Sequence, residues 1–266
     1  MTALDPILIS TIIVAIVRSP SQADILKRKG VDTVVIEGGL DDTDGLVNLA
    51  NQDGGIYEYE VKRENISPYA QRTTDVTVVS MGERLGIRTY IIMPPLVYGQ
   101  GTGLFNQRSQ QIPMLIRNAL QSGRAEYIAP GTASIGHVHV EDLAALFVAV
   151  IVEALAKPKL ASGRNGYFFA GTGRHSWVEV AQYIATDGYA LGALESANAA
   201  PIDLTAAAAK FWEGDEIHTE RILASSSRTK AERGREIGWK PLRTDRDWRR
   251  SLIDDLHGII REAKVE

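Results

Sequence analysis

The chain has 266 residues, of which 44% are hydrophobic and 23% charged, and its formal net charge at pH 7 is −4. This composition is that of an ordinary globular protein, and its slight acidity argues against a nucleic-acid partner or an anionic membrane. The sequence has no cysteine, which excludes a disulfide scaffold, a thiol nucleophile and a thiolate zinc site. The length suits one large domain, or a core domain with a smaller appendage.

The first apolar segment, Ile7–Val17, reads ILISTIIVAIV. It is shorter than the ~20 residues that cross a bilayer. The only charged side chain before it is Asp5, whereas a secretory signal requires basic residues there. Its isoleucine, valine and threonine content favours a buried strand. We therefore expect a cytoplasmic protein with no membrane partner.

Strands and helices alternate at the start of the chain. Ile12–Val17 is predicted as a strand, SQADILKRKG as a helix that stops at Gly30, and Val31–Ile36 as a second strand. Asp41 or Thr43 can cap a short helix over TDGLVNLA. This rhythm indicates a parallel sheet with right-handed crossovers.

The middle of the chain begins with a polar stretch, NQDGGIYEYEVKRENISP, that contains no apolar strand. Hydrophobic periodicity and turn residues then predict a further series of elements. They are a helix over Tyr69–Leu85 that stops at Gly86, a strand RTYIIM broken off by Pro94-Pro95, a helix over Ile112–Leu120, a strand over His137–Val140, an apolar helix over Asp142–Leu155 and a strand GYFFAG.

The last third of the chain is predicted to be mostly helical. Ser176 and Glu179 form a capping box that opens the helix WVEVAQYIA. The segment DWRRSLIDDLHGIIREA is predicted as a docked terminal helix, because its apolar residues share one face. Those residues are Leu252, Ile253, Leu256, Ile259 and Ile260.

The stretch IIMPPLVYGQGTGLF has three glycines at alternate positions, Gly99, Gly101 and Gly103. A dinucleotide fingerprint requires a strand, a GxGxxG turn and the N-terminus of a helix. Here two prolines precede the glycines, the spacing is GxGxG, and LFNQRSQQ does not begin a helix. We therefore interpret the stretch as a plain loop. AGTGRHS is interpreted as a connecting turn, because the helix that follows carries its own cap in Ser176.

Five segments occur in a recognisable order: RTYIIMPPLVYG, IPMLIRNAL, HVHVEDLAALFVA, GYFFAGTG and REIGWKP. In this order they resemble extended or atypical short-chain dehydrogenase/reductases of the NAD-dependent epimerase/dehydratase group, including its NmrA-like relatives. The resemblance runs from about Ile66 to the C-terminus and is weaker over Ile12–Leu49. It implies an α/β fold, a curtailed Rossmann-like parallel sheet with a smaller, mostly helical substrate-binding part. The implied core comprises residues 1–99 and 136–172, and the substrate-binding part residues 100–135 and 173–266.

The resemblance also implies an NADP or NAD cofactor. The turn containing Pro95 and Val97 would run beside the nicotinamide, with backbone groups near Val97 serving the carboxamide. Arg18 matches an arginine that can pair with the 2′-phosphate of NADP, a role that suits its bidentate fork; a solvated arginine after a strand is the alternative. In EGGLDD, Gly39 stands where relatives carry an acidic side chain, which leaves only backbone contact through Leu40.

Tyr69, in PYAQRTTD, matches the tyrosine of the family's Tyr-x-x-x-Lys pair. That pair works because one helical turn places both side chains on the same face, where the lysine activates the tyrosine and holds the ribose. Here the fourth residue on is Thr73, and none of the nine tyrosines has a lysine at that spacing. Arg72, at i+3, is the nearest cation and could substitute electrostatically, although an arginine so placed is more often a surface residue.

Other departures from the family pattern concern whole segments. Family members begin with a strand and a GxxGxxG turn, and they carry a fourth and a fifth strand that are not visible here. We hypothesise that pieces are missing through gene decay, altered splicing or a faulty gene model. In nucleotide-sugar epimerases an arginine precedes the segment that resembles HVEDLA. The matching position here is Ile135, which favours a smaller or less charged substrate.

Two sets of charged and titratable residues lie outside these motifs. His137 and His139 point to one face of a strand, and Glu141 continues that face. Because no third ligand with defined spacing is visible, we predict structural histidines near a substrate cleft and no metal. Glu141 and Asp142 are interpreted as favourable charge at a helix N-terminus. The arginines and aspartates of residues 243–254 mix signs and are interpreted as a solvated face.

Taken together, the sequence predicts an NAD(P)-dependent oxidoreductase/epimerase-like protein that acts on a small carbonyl or alcohol. Tyr69 would be the proton donor and Arg18 the partner of the 2′-phosphate. The second hypothesis is a non-catalytic, NmrA-like dinucleotide sensor or interaction protein, favoured by the missing lysine. The third is an inactive remnant of the family. The expected partner is a small-molecule substrate.

Overall fold

The structure, a computed structural model, describes residues 14–17, 20–29, 32–35 and 55–263. It divides into two compact units, residues 1–40 and 41–266. In the first unit, β1 (Val14–Val17) and β2 (Asp32–Val35) pair in parallel and are connected by α1 (Pro20–Lys27). The predicted strand–helix–strand order and parallel pairing are confirmed. The helix ends at Lys27, before the predicted stop at Gly30, and the helix predicted over TDGLVNLA lies outside the described residues.

The second unit alternates short strands with longer helices. Its strands are β3 (Ile91–Met93), β4 (Leu96–Tyr98), β5 (Glu126–Ile128), β6 (Ser134–His139), β7 (Tyr167–Phe169), β8 (Gly173–Ser176) and β9 (Ala200–Ile202). Its helices are α2 (Ile56–Ile66), α3 (Ala70–Leu85), α4 (Gln111–Ser122), α5 (Val140–Ala156), α6 (Trp177–Ala190), α7 (Leu204–Phe211), α8 (Glu216–Leu223), α9 (Glu232–Glu236) and α10 (Asp245–Ala263).

Strand pairing in this unit is mainly parallel. β3 pairs with β7, β4 with β6, and β5 with β9, all in parallel, while β8 joins β6 antiparallel. The α/β class and the parallel pairing are confirmed, although in the part of the chain that the structure describes these pairs form separate small sheets. Pro94-Pro95 separates β3 from β4, because proline has no N–H to donate to a strand ladder.

Several elements have no counterpart in the sequence prediction. α2 forms within the polar stretch, where its two buried side chains are Tyr57 and Glu60, so the sequence shows no apolar stripe. β4 lies inside the turn PPLVYG, and β8 lies inside AGTGRHS, which was predicted as a turn. Strands of three or four residues are too short to show a period of two. β6 begins earlier than predicted, at Ser134, and ends at His139.

The helix boundaries that rest on local signals are confirmed. α3 ends at Gly86, whose φ of 66° is in the left-handed region that glycine adopts at little cost. Ser176 and Glu179 make both hydrogen bonds of the predicted capping box at the start of α6. α5 has a cap that was not predicted: the His139 ring accepts a hydrogen bond from the Glu141 N–H at 3.1 Å.

The largest apolar core collects around the terminal helix α10. Leu252, Leu256 and Ile259 are buried there, as the one-sided apolar face predicted, together with the fully buried Trp248. A second cluster surrounds α5, and a third, much smaller one joins Tyr57, Val79, Ile91 and Tyr167. Among the described residues, no helix is both long and apolar enough to cross a membrane.

Candidate functional site

Tyr69 is the N-cap residue of α3, in extended backbone with φ −154° and ψ 157°. The guanidinium carbon of Arg72 lies 4.2 Å from the centre of the Tyr69 ring. Arg221, from α8, approaches the same ring at 5.3 Å. Cations are attracted to the negative face of an aromatic ring. The half-buried phenol therefore contacts two positive charges, one from its own helix and one from a distant segment.

Arg72 is buried, with 1% of its surface exposed, which corrects the expectation of a surface residue. Its Nε donates to Glu60 at 3.2 Å, and its Nη1 donates to the Ser67 carbonyl at 2.8 Å. Glu60 is also 1% exposed. A buried charge without a partner is costly. The ion pair with Glu60 therefore holds the Arg72 guanidinium in its buried position beside the Tyr69 ring.

Thr73, which occupies the family's lysine position, is exposed and contributes no charge. Its hydroxyl is within hydrogen-bond distance of the Glu64 carboxylate and, at 2.9 Å, of the Tyr69 carbonyl. The positive charge near the phenol therefore comes from Arg72, at the i+3 position, and from Arg221 of α8. Sequence reasoning identified Arg72 from its spacing but had no signal for Arg221, whose approach depends on the tertiary fold.

A second carboxyl group lies one turn beyond Arg72 on α3. Burial, and then the charge of Glu60, raise the pKa of Asp75 to about 7. One oxygen of Asp75 and the buried hydroxyl of Tyr167 have no hydrogen-bond partner in the described part of the chain. The pKa of the Tyr167 hydroxyl is raised by burial and by the charges of Asp75 and Glu60. The ion pair beside Tyr69 thus belongs to an incompletely satisfied polar cluster.

The two described residues of the predicted cofactor turn have different surroundings. Pro95 is buried, and a Cβ added to Gly136 would lie 3.3 Å from its ring. Val97 lies in β4 opposite Val138 of β6. No strand in the described ranges pairs with the other edge of β4, and such an edge can offer N–H and C=O groups to a ligand. Arg18 and Leu40 lie outside the described residues.

The glycine loop after β4 is a plain loop, as predicted. Gly99 has a φ of +91°, and an added Cβ would lie 2.2 Å from the His139 ring, so both backbone and space require glycine. The Gly101 N–H donates to the Gln107 carbonyl at 2.8 Å, and the next helix begins only at Gln111. The 266 residues contain no GxGxxG or GxxGxxG turn, so they supply a candidate nicotinamide edge but no glycine turn for a pyrophosphate.

A cavity of about 610 Å³ opens beside this loop, lined among others by Gly99, His139 and residues of α10 between Asp247 and Arg261. Arg243 lies at its wall, in ion pairs with Glu141 and, at 3.5 Å, with Asp247. The interpretation of residues 243–254 as a solvated face fits Arg250, which is 74% exposed. It does not fit Arg249, which docks α10 onto α6 through Asp187 at 2.9 Å.

Asp142 has the predicted structural role, but it acts through hydrogen bonds as well as through the helix dipole. Its buried carboxylate accepts hydrogen bonds from the N–H groups of Leu242 at 2.8 Å and Arg243 at 3.0 Å. The indole of Trp239 donates to the Asp142 carbonyl at 2.8 Å. These bonds attach the segment before α10 to the start of α5 and position Arg243 at the cavity wall.

His137 and His139 share one face of β6, as the alternation predicted. Both rings meet the ring of Tyr98 edge-on, with centroids 5.2 Å and 5.1 Å away. His137 is 2% exposed. Burial, and then His175, lower its pKa to about 3, so its imidazole is neutral at pH 7. His139 lines the cavity, whereas His137 lies behind it in the aromatic core.

The sequence model of the NAD dependent epimerase/dehydratase family matches residues 50–160. The match contains Tyr69, the Pro95–Val97 turn and the start of α5, and it confirms the resemblance carried by the ordered segments.

Two known proteins show how far the likeness extends. Oxidase ucsJ from Acremonium sp. is 27% identical over 169 residues, which cover 59% of this chain and 46% of that protein. The UDP-glucuronic acid 4-epimerase of Bacillus cereus, solved with UDP-glucuronic acid and NAD, superposes with a TM-score of 0.50 at 11% identity. That superposition covers 92% of this chain and 61% of the epimerase. The second likeness shows the fold, and the chain spans about half of the length of these relatives.

Proposed function

We propose that the chain acts as an NAD(P)-dependent oxidoreductase/epimerase-like protein on a small carbonyl or alcohol. The observation that carries the proposal is the contact of Tyr69 with two guanidinium groups. Tyr69 matches the family's catalytic tyrosine and lies within the family segment, residues 50–160. Arg72 and Arg221 supply the positive charge that the missing lysine would otherwise bring.

Tyr69 would hold the proton that is given to, or taken from, the substrate oxygen. Positive charge beside the phenol favours the phenolate that forms when the proton leaves. The bound nicotinamide would supply the hydride chemistry. Backbone groups near Val97 would hold its carboxamide, with Pro95 fixing the turn. Arg18 would pair with a 2′-phosphate, and the backbone of Leu40 would contact the adenine.

The cavity beside the glycine loop is large enough for a small molecule, but Tyr69 is not among the residues that line it, so we do not place the reacting carbonyl there. Its volume of about 610 Å³ is within the range of small-molecule pockets. Ile135 is 2% exposed in the apolar core and brings no charge, which supports a substrate smaller or less charged than a nucleotide sugar. We assign residues 1–99 and 136–172 to the cofactor part and residues 100–135 and 173–266 to the substrate part. We place the protein in the cytoplasm.

A non-catalytic dinucleotide sensor is the second candidate, and one contact favours it. Glu60 hydrogen-bonds Arg72 and offsets its charge, so less positive charge remains for the phenol than a free lysine would supply. Under this alternative the nucleotide binds and no substrate is converted.

The test is turnover of NADH and NADPH with a panel of small aldehydes and ketones, and of NAD and NADP with the matching alcohols. Tyr69→Phe keeps the ring against both arginines and removes the proton donor, so kcat should fall about 10²- to 10⁴-fold while nucleotide affinity is unchanged. Tyr189→Phe is the matched control, because Tyr189 is 54% exposed. Nucleotide binding without turnover would favour the sensor, and turnover unchanged in Tyr69→Phe would contradict the role of Tyr69.

A further inference from the structure

We propose that His137, His175 and Asp245 form a binding site for a divalent transition-metal ion of the zinc type. One ligand atom from each residue lies within 4.8 Å of the other two. The site shares no residue with the surroundings of Tyr69 described above and does not depend on the proposed function.

The antiparallel pairing of β6 and β8 brings the two histidines together. His137 lies opposite Gly173, and His175 lies opposite Ile135. The histidines are therefore diagonal neighbours on one face of the ribbon. His137 Nε2 and His175 Nδ1 are 2.9 Å apart. Gly173 makes room for this arrangement, because an added Cβ would lie 2.4 Å from the His137 ring.

Trp248 holds both imidazoles in place. The His137 ring lies 4.4 Å from the indole with planes 2° apart, and the His175 ring lies 5.0 Å from it with planes 20° apart. The two imidazole rings are 4.9 Å apart, with planes 20° from parallel. Tyr98 meets both His137 and Trp248 edge-on. Ligands whose rings are fixed by packing lose little freedom when an ion binds.

Asp245 adds the third donor from α10. It precedes Trp248 by three residues, so one helical turn places its carboxylate on the same side as the indole that carries the histidines. Asp245 is exposed, which gives the trio contact with solvent, and His175 is half-buried.

The donor set selects the class of ion. Two imidazole nitrogens and one carboxylate oxygen, with a fourth position left for water, are typical ligands of zinc in open sites. Binding would replace the His137–His175 hydrogen bond with two metal–nitrogen bonds, and the exposed Asp245 side chain would close the remaining distance. His137 Nδ1 has no hydrogen-bond partner among the described residues. We therefore expect affinity roughly 10- to 100-fold below that of a site with a complete outer shell.

The experiment titrates the metal-stripped full chain with Zn²⁺ by calorimetry, and with Co²⁺ by visible absorption and tryptophan fluorescence. We expect saturable binding of one ion, cobalt bands typical of nitrogen and oxygen ligands, and quenching of Trp248. His175→Gln and Asp245→Asn should each weaken binding at least about tenfold. The matched controls His257→Gln and Asp254→Asn change exposed residues outside the trio and should leave binding unchanged.

Two outcomes would overturn the proposal. One is no saturable binding of either ion by the folded chain. The other is binding that persists unchanged in His175→Gln and Asp245→Asn, which would place the ion elsewhere. Trp248→Phe identifies the quenched indole among the four tryptophans of the chain. Because these readouts need neither nucleotide nor turnover, a failure here is distinct from a failure of the proposed function.

Discussion

The surroundings of Tyr69 and those of Trp248 are built in opposite ways. Around Tyr69, a buried ion pair lies beside an apolar cluster of four buried residues, and one oxygen of Asp75 and the Tyr167 hydroxyl have no hydrogen-bond partner among the described residues. Around Trp248, the rings of His137, His175 and Tyr98 pack against the indole, and Tyr98 and Trp248 belong to a cluster of nineteen buried residues. Charge dominates the first region and packing the second.

The difference indicates what each region can do. Buried charges with unsatisfied neighbours are typical of sites that handle protons or ligands, although structural ion pairs produce the same signature. A large, closely packed aromatic core fixes side chains in position. Substitutions should therefore act through packing around Trp248 and through electrostatics around Tyr69.

The largest expected effect comes from Trp248→Ala. Trp248 is fully buried against Tyr98, His137 and His175. Its removal leaves a cavity, so the free energy of unfolding should fall by about 3–5 kcal/mol, as measured by urea denaturation. Trp212→Ala, at a half-buried position beside the same core, should cost less. Equal losses in the two variants would show that Trp248 is not the centre of the packing.

Arg72→Met should cost about 3 kcal/mol, because it leaves the Glu60 carboxylate buried without its partner. Adding Glu60→Leu should recover most of this loss, since an apolar pair of similar size needs no desolvated charge. Urea denaturation of the single and double variants measures both the loss of stability and its recovery. Additive losses would contradict a direct Glu60–Arg72 interaction.

Asp142→Ala and Glu141→Ala compare adjacent acids at the start of α5. Asp142 accepts two backbone hydrogen bonds in a buried position, so its removal should cost about 3 kcal/mol. Glu141 is exposed, so its removal should cost much less than the removal of Asp142. Thermal or urea denaturation ranks the two, and a reversed order would refute the structural role of Asp142.

Gly99→Ala should cost about 1–3 kcal/mol, because the residue has a positive φ and its Cβ would meet the His139 ring. Gly103→Ala is the control, since its nearest neighbour to an added Cβ is 3.9 Å away. Comparable stability of the two variants in denaturation would contradict the close approach of Gly99 and His139.

The last expected effect concerns pH. Asp75 has its pKa raised from 3.8 to about 7 by burial and by Glu60, so ionisation disfavours the folded state. The loss of folding stability caused by this ionisation is absent below about pH 4, grows as the pH rises and is complete above about pH 7. Asp75→Asn should therefore gain melting temperature relative to the parent between pH 4 and pH 7. A constant difference across that range would show that Asp75 is not titrating there.

The sequence predicted most reliably what local chemistry determines. Gly86 at the end of α3, the Ser176–Glu179 box and the apolar face of α10 depend on residues within a few positions of one another, and all are confirmed. The three-residue strand β4 was missed because it lies inside a proline turn and shows no readable period, whereas β3 and β7, equally short, were predicted from the apolar runs RTYIIM and GYFFAG.

The candidate sites were predicted only in part, because local spacing shows which residues share a face but not which distant segments reach them. The i+3 spacing pointed to Arg72, but its burial depends on Glu60 from another helix, and the approach of Arg221 depends on the tertiary fold. The i, i+2 spacing put His137 and His139 on one face, whereas His175 and Asp245 reach His137 only through the pairing of β8 and the docking of α10.

The most direct test of the proposed function is a fluorescence titration of the purified chain with NADPH and NADH. The account predicts saturable binding of at least one nucleotide, which Tyr69→Phe leaves intact. No saturable binding of either nucleotide to the folded protein would contradict the oxidoreductase and the sensor alike, and would leave a remnant of the dehydrogenase fold.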